Sequence, residues 1–328
     1  MANTGSGVWV VAETRRGKLL PTAFELVTAA KSIASQRGET VTAVVLGAAE
    51  GAEGLASAGA AKVLLLEGLG EFADDACAAA IAAAAKAGAP RTILLSSGVF
   101  GRSVAPRLAV ALNSGLGSDA VALELDAEKR LVVKRAAYAG NVTQKVLVKS
   151  QSGPELATVR PMAYPRSAVN GSHGTVEKVQ GDVSAAKGRT RYASFAADAS
   201  PELDIGAAEK IVSGGRGLGD PKGFELIRAL AQAMGAAVGA SRAAVDSGWI
   251  PYKHQVGITG RSVRPRLYMA CGISGQIQHM GGMKSSDVIV AINTDADCPM
   301  MKAANYAVQG DLYKVIPALI DAIKQARG

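Results

Sequence analysis

The sequence predicts an α/β protein of two domains built on largely parallel sheets, the first carrying a β excursion. Three observations support this. Short apolar runs alternate with helical stretches along most of the 328 residues, the pattern of parallel strands covered on both faces by helices. Between residues 121 and 164 the helical period gives way to alternation, the mark of antiparallel strands. Residues 267–297, LYMACGISGQIQHMGGMKSSDVIVAINTDAD, read as a strand, a glycine-pinned turn, a short helix carrying Gln278 and His279, and a second strand. That is a βαβ unit.

In chain order, residues 8–12 form a short apolar strand. Pro21 stands where a first helical turn begins, residues 23–36 have helical periodicity, and Gly38 stops that helix. Strands follow at 41–47, 62–67 and 91–97, with an Ala-rich helix at 74–87. A helix is expected after Pro106, carrying Leu108, Val110, Ala111 and Leu112 and ended by Gly115 and Gly117. LVVKRAAYAGNVTQKVLVKS and ELATVRPMAY alternate like antiparallel strands, with Gly140 and Asn141 as a turn. Residues 167–199 are polar and weakly periodic, and a boundary falls near 184–200. The domains are placed at 1–190 and 205–328, with a linker at 191–204.

The second α/β pattern opens with a strand at 210–213 that ends in GGRGLGDP, and Pro221 starts a helix to about 234. A strand at 236–240 ends at Ser241 and Arg242, and the loop DSGWIPYKHQVGITGRSVRP leads into the βαβ unit. A helix at 312–326 closes the domain, with Asp311 at its N-cap position.

The formal charge is +8, but Lys and Arg are scattered and aromatics make up only 4%, which argues against nucleic-acid binding. An acidic protein partner or a phosphate-bearing ligand suits the charge better. Cys77, Cys271 and Cys298 are too few and too far apart for a disulfide framework or a zinc site. MANTGSGVWVV lacks a positive n-region followed by a long apolar core, and no apolar run has membrane-span length. A soluble cytoplasmic protein without direct membrane insertion is expected.

In open parallel sheets ligands sit at the carboxyl ends of the strands. Ser274 and Gly275 follow the first βαβ strand there, and Asn293, Thr294 and Asp295 the second. Gly214, Gly215, Arg216, Gly217, Leu218 and Gly219 resemble a loop that cradles phosphate, though neither as GxGxxG nor as a P-loop. Arg242 at a strand end faces a ligand if it is not simply a solvated charge. Gln255, Val256, Gly257, Ile258, Thr259 and Gly260 form a tight loop whose plain reading is a turn; Thr259 offers one hydrogen bond. His279 is one of three histidines, and its plain reading is structural. No Ser–His–acid set and no metal cluster is apparent. Such a site holds a nucleotide cofactor and tunes it electrostatically, the chemistry belonging to the cofactor.

The segment 267–320 resembles the C-terminal FAD domain of electron transfer flavoprotein alpha subunits. GGRG at 214–217, GASRAAVDSGWIP at 239–251 and QVGITG at 255–260 fall in that family's order. GRSVAPRLAVALNSGLGSDAVALELD and ATVRPMAYPR are similar to its N-terminal domain. The resemblance implies a Rossmann-like, doubly wound parallel-sheet FAD domain. It implies Arg216 beside the flavin, Ser241 and Arg242 at the isoalloxazine, Thr259 within the loop 255–260 at N5, and His279 near O2. It implies Ser274, Gly275, Gln276, Ile277, Gln278 and Asn293 along the ribityl chain, pyrophosphate and adenosine, and Asp311 with Leu312 at the adenosine end.

Departures from the family pattern are Ile258, where many members have Gln, the turn Tyr138-Ala139-Gly140-Asn141, and Val99 with Phe100. The implied function is a heterodimeric electron carrier rather than an enzyme with its own substrate. An N-terminal domain packs on a beta subunit that holds AMP, and the FAD domain swings about the linker. Electrons come from flavin dehydrogenases such as the acyl-CoA dehydrogenases of fatty acid beta-oxidation. They pass to electron transfer flavoprotein-quinone oxidoreductase or a similar acceptor, including a reductive one as in nitrogen fixation. Arg242 and His279 are expected to stabilise negative charge on the reduced ring. Two rivals are an NAD(P)-binding enzyme on a related sheet, which needs a catalytic Lys or acid in the cleft, and a non-redox adenine-nucleotide-binding adaptor.

Overall fold

Residues Val8–Ala12 form β1, buried along its whole length, and the first sheet of this computed structural model is laid down on either side of it. The structure describes residues 5–327 apart from 48–49, 70–72, 139–141, 151, 170, 172–173, 187, 189–191, 195, 197–202 and 207. The chain divides into two units, 1–196 and 197–328.

In the first unit a short antiparallel pair, β2 (Thr14–Arg15) and β3 (Lys18–Leu19), leads to α1 (Thr22–Arg37). Then come β4 (Val41–Leu46), α2 (Glu53–Ser57), β5 (Lys62–Glu67), α3 (Asp74–Gly88), β6 (Thr92–Ser96) and α4 (Val99–Ala111). The four long strands pair in parallel in the order β5-β4-β1-β6. The winding therefore reverses at β1, and its side chains alternate between two cores. Val8, Val10 and Ala12 pack with Leu26, Ile33 and Leu55 of α1 and α2, whereas Trp9 and Val11 pack with Ile81, Val104 and Leu108 of α3 and α4.

β7 (Leu116–Leu125), β8 (Leu131–Ala137) and β9 (Val142–Leu147) pair antiparallel. They extend the same sheet, whose order is β11-β5-β4-β1-β6-β10-β7-β8-β9, so the β excursion continues the parallel sheet. β10 (Glu155–Val159), expected to be antiparallel, instead runs parallel between β6 and β7. All five of its residues are buried, so the Glu155 and Thr158 that suggested an alternating, half-exposed strand lie in the interior of a sheet covered on both faces. β11 (Thr175–Gln180) lies in the stretch expected to be irregular; each of its residues is exposed, and it pairs parallel with β5 at the sheet edge. The expected turn at Gly140 and Asn141, and much of the expected linker, lie outside the described residues.

The helix expected after Pro106 starts at Val99 and carries Pro106 inside it. Gly101 permits the early start: a Cβ there would sit on the Ser96 carbonyl oxygen, so the first turn of α4 lies directly on the end of β6. Pro106 then forgoes only the helical bond to the Arg102 carbonyl.

The second unit contains β12 (Lys210–Gly214), a 3-10 turn at Arg216–Leu218, α5 (Gly223–Met234), β13 (Ala237–Ala240), α6 (Arg242–Asp246) and a 3-10 turn at Tyr252–His254. It continues with β14 (Leu267–Cys271), α7 (Ile277–Met283), β15 (Val288–Asn293), α8 (Pro299–Ala303), β16 (Tyr306–Gln309) and α9 (Leu312–Arg327). α6, α8 and β16 are additions to the sequence reading. All five strands are parallel, in the order β13-β12-β14-β15-β16. Phe224, Ile227 and Leu230 of α5, with Ile316 and Ile320 of α9, cover one face; helical spacing puts each set on one stripe. Met280 and Met283 of α7, with Met300 and Met301 of α8, cover the other, against Tyr268 and Ala270 of β14.

Cys77, Cys271 and Cys298 are buried free thiols. Burial raises Cys77 to about 11 and Cys271 to about 12, so neither is a reactive thiolate at neutral pH. Among the described residues no helix is long and apolar enough to cross a membrane.

Candidate cofactor site

Because the five strands of the second unit are parallel, their carboxyl ends share one edge. Gly214 pairs with Ala240 and Cys271, Cys271 with Ile292, and Asn293 with Gln309. The winding reverses between β12 and β14, the position where doubly wound sheets take their ligands. There the glycine-rich run does something more specific than cradle a phosphate. Gly215 N donates to Cys271 O at 2.9 Å and Gly217 N to Gly272 O at 3.0 Å. A Cβ on Gly217 would stand 2.8 Å from Gly272 Cα. The glycines let two strand-end loops touch, and Arg216 is left exposed at the tip.

At the end of β13, Ser241 N donates to Gly214 O at 3.0 Å. Its hydroxyl accepts from Ala244 N at 3.4 Å, capping α6. Arg242 starts α6; its side chain is 63% exposed and its Nε lies 3.1 Å from Asp246 Oδ2. An exposed pair one helical turn apart contributes little to stability, so the guanidinium is free to trade Asp246 for a ligand.

The loop 255–260 is no plain turn. Val256 N donates to Ala240 O at 3.0 Å, tying the loop to β13, and Ile258 N donates to Gln278 O at 2.9 Å, tying it to α7. Gly257 N donates to Arg261 O and Arg261 N to Gln255 O, closing it. Buried Gln255 donates from Nε2 to Thr259 Oγ1 at 3.1 Å, and the Tyr252 hydroxyl donates to Thr259 O at 2.6 Å. Thr259 and Ile258 are exposed on this braced loop, while the Val256 side chain is buried in the core.

After β14, Ser274, Gln276, Ile277 and Gln278 are exposed and His279 is buried. The first turn of α7 offers N–H groups without intrahelical acceptors. His279 Nε2 lies 2.9 Å from the Tyr268 hydroxyl. Nδ1 makes no hydrogen bond of normal geometry among the described residues; desolvation is the larger influence and lowers this histidine to about 4, against the Val256 backbone, which lies close enough to raise it. The ring is therefore neutral at pH 7, and it would serve a ligand as a hydrogen-bonding group. Desolvation disfavours the charged imidazole, so any share His279 takes with Arg242 in stabilising negative charge comes from a hydrogen bond and not from a charge.

That burial has a measurable consequence. The unfolded chain takes up the proton near the ordinary 6.5 and the folded chain only near 4, so the stabilisation is complete above 6.5 and is lost as the pH falls towards 4. In the flavin-free chain the second unit is expected to lose on the order of 2 kcal/mol between about pH 7 and about pH 5 through this group. Urea unfolding at the two pH values reads the loss, and His279→Gln should remove most of it.

Asn293 braces two loops, donating from Nδ2 to Ile273 O at 3.2 Å and accepting at Oδ1 from Asp295 N at 3.1 Å. Asp311 caps α9 by accepting from Tyr313 N at 2.9 Å. The Leu312 side chain belongs to the core beneath, so only its backbone can face a ligand at this edge. The sequence reading missed Tyr268, Tyr252, Asp246 and Tyr313, whose hydroxyl donates to Leu218 O at 2.6 Å and fastens α9 to the turn below Arg216. The one available signal was a tyrosine inside an apolar strand, whose hydroxyl needs a partner when buried.

A buried imidazole nitrogen with no hydrogen bond of normal geometry among the described residues, open N–H groups at α7 and guanidinium groups at the same edge suit an acceptor-rich, anionic ligand. The fold and this edge thus define a doubly wound domain that holds a nucleotide cofactor. Comparison with known proteins sharpens that class. Residues 204–284 match the electron transfer flavoprotein FAD-binding domain, and residues 8–184 match the electron transfer flavoprotein domain. The electron transfer flavoprotein subunit alpha of Thermoanaerobacterium thermosaccharolyticum is 41% identical over 330 residues, covering 99% of this chain and 100% of that protein. Protein FixB of Azotobacter vinelandii is 36% identical, covering 98% and 92%. The acryloyl-CoA reductase electron transfer subunit beta of Anaerotignum propionicum is 33% identical, covering 99% and 97%. The chain belongs to the electron transfer flavoprotein alpha-subunit family. It is an electron-transport flavoprotein with FAD as its cofactor.

Proposed function

We propose that this chain is the FAD-holding half of a heterodimer with an electron transfer flavoprotein beta subunit that carries AMP. It takes electrons from flavin dehydrogenases of the acyl-CoA dehydrogenase class, as in fatty acid beta-oxidation. It passes them to electron transfer flavoprotein-quinone oxidoreductase or an equivalent acceptor in the cytoplasmic compartment. Residues 205–328 form the FAD domain, 1–190 the domain that packs on the beta subunit, and 191–204 the linker. The observation that supports the reading is the shared carboxyl edge, where Arg242 and Thr259 follow β13, His279 follows β14, and the loop carrying Thr259 is tied to α7 through Ile258 N and Gln278 O.

FAD, when bound, supplies one- and two-electron redox chemistry, and the chain's own residues orient and tune it. Arg242 sets a positive charge at the ring. Thr259, whose oxygen accepts from Gln255, keeps its own proton for N5. His279 offers Nδ1 to the ring carbonyl O2. Arg216 covers the partner-facing edge. Gly275, Gln276, Ile277 and Gln278, with Ser274 and Asn293, hold the chain from ribityl to adenosine, and Asp311 with the Leu312 backbone closes the adenosine end. The acyl-CoA chemistry in the name of the Anaerotignum relative supports a donor or acceptor of that class.

In the FAD-loaded heterodimer, Arg242→Ala should lower the first-electron midpoint potential with flavin still bound. An exposed, screened charge contributes about 1–2 kcal/mol, roughly 40–90 mV for one electron. Asp246→Asn should move the potential the opposite way by releasing the guanidinium. Spectroelectrochemical titration checks both, and an unmoved potential at full flavin occupancy in both variants rejects the placement.

A further inference from the structure

Tyr268 stands on β14, wholly buried. Its hydroxyl is 2.9 Å from His279 Nε2, and its ring meets the imidazole edge-on, with centroids 6.0 Å apart at 61°. Its surroundings are apolar: Val256, Met280 and Met283 belong to the same cluster. A buried phenol must place its proton on an acceptor, and the imidazole nitrogen is the most basic atom in reach. Ser213 Oγ, buried on β12, flanks the tyrosine oxygen from another side without a hydrogen bond of normal geometry. Ser213 acts on the phenol as a donor, and the imidazole nitrogen is the stronger acceptor for the Tyr268 proton.

An imidazole nitrogen that accepts a hydrogen bond carries no proton, so the single proton of the neutral ring must sit on the other nitrogen. That other nitrogen, Nδ1, is buried and makes no hydrogen bond of normal geometry among the described residues, with the Val256 backbone as its polar neighbour. We propose that Tyr268 is a positioning residue: by donating to Nε2 it holds His279 in the Nδ1–H tautomer and keeps a hydrogen-bond donor ready for a carbonyl oxygen of the flavin ring. The inference rests on the reading of the carboxyl edge as the flavin site. The reverse arrangement, with Nε2–H donating to the tyrosine, would present a bare Nδ1 lone pair to that carbonyl and repel it. Burial keeps the ring neutral, so the choice of tautomer decides whether His279 attracts or repels the ring oxygen.

The test uses the FAD-loaded complex with its co-expressed beta subunit, with 15N label in histidine. The chain has three histidines, His173, His254 and His279, and His279→Gln identifies the signals that belong to the third. The expected spectrum shows a protonated Nδ1 and a bare Nε2 at His279. Tyr268→Phe preserves the ring and its packing and removes only the hydroxyl. It should let both tautomers appear. It should also weaken the reduced state about tenfold, roughly 59 mV for one electron, in the same direction as His279→Gln and with flavin content unchanged.

A wild-type spectrum with the proton on Nε2 overturns the proposal, and it does so even if the variant fails to fold. So does a Tyr268→Phe complex whose tautomer and potential match wild type while His279→Gln lowers the potential. If His279→Gln and Arg242→Ala both leave the potential of fully bound FAD unmoved, the ring is elsewhere and the proposal falls with the site. An intact Nδ1–H signal then identifies the placement, not the tautomer, as the error.

Discussion

Glu155→Ala is expected to destabilise the N-terminal unit by about 3–5 kcal/mol, the cost of stranding a buried charge. Glu155 opens the central strand β10 and is almost wholly buried. Its Oε2 accepts from Arg37 Nη2 at 2.7 Å and from Thr92 Oγ1 at 2.8 Å, and its Oε1 accepts from Leu131 N at 2.7 Å. The Arg37 side chain is 0% exposed, so without the carboxylate its charge has no water to turn to. Its remaining partners are the Lys129 carbonyl, which takes Nε at 3.0 Å and Nη2 at 2.7 Å, and the Thr92 hydroxyl at 2.8 Å. These are dipoles and do not neutralise it.

The network joins the end of α1 to β6, β8 and β10, so its loss loosens three strands and a helix together. Denaturant unfolding should show a lower midpoint with an unchanged slope, the sign of a change in stability alone. Glu155→Gln should lose less, since most of its hydrogen bonds survive. Arg37→Met combined with Glu155→Leu should recover much of the loss, because an apolar pair avoids desolvating two charges. A loss below about 1 kcal/mol for Glu155→Ala would mean that Arg37 reaches water, contrary to the structure.

The same strand shows what the sequence could and could not reveal. β1, β4, β5, β6, β12, β13, β14 and β15 are apolar runs bounded by helices, and run length with flanking residues was enough to find them. β10 was found but misassigned: Glu155 and Thr158 read as the polar part of an alternation, yet both are buried on hydrogen-bond partners. β11 and β16 were missed for the opposite reason. Both are short and exposed throughout, so neither is a buried apolar run. β11 is held to β5 by its ladder and by cross-strand pairs such as Lys62 with Glu177 at 2.8 Å, visible only once the strands are adjacent.

At the site, residue type and position alone left Thr259 in a plain turn and His279 structural; it was the family resemblance that set them beside Ser241 and Arg242 at a flavin. Their supports were not legible, since Tyr268 to His279 and Tyr252 to Thr259 are contacts that nothing in local periodicity specifies, and the i,i+4 pair of Arg242 with Asp246 needs α6, which was not read from the sequence. The glycine-rich run was legible as special but not in its use, because its neighbour, Gly272, lies 55 residues on in the chain.

Gly275→Ala should largely abolish FAD retention. Gly275 has φ +86°, a backbone conformation that costs an L residue about 1–2 kcal/mol. The added Cβ would also run into the backbone nitrogen of Met300 and stand 2.9 Å from its Cα. Those are backbone atoms of α8, not the yielding end of a side chain. The hydrogen bond from Met300 N to Ser274 O at 3.1 Å fixes the two segments against each other. Something must move, and what lies next in the chain is Gln276 and the first turn of α7, which carries the N–H groups and His279. A combined cost on the order of 3 kcal/mol, if it falls on the bound geometry, corresponds to roughly a hundredfold weaker FAD binding.

Gly219→Ala is the control. Gly219 has nearly the same φ, +82°, but nothing stands within 4 Å of its would-be Cβ. That variant bears only the conformational cost, which should weaken binding no more than about tenfold. Flavin content after desalting and the FAD dissociation constant of the heterodimer separate the two. Equal behaviour of the two variants would show that the backbone conformation alone matters, and full flavin retention by Gly275→Ala would show that the turn into α7 does not shape the cofactor site.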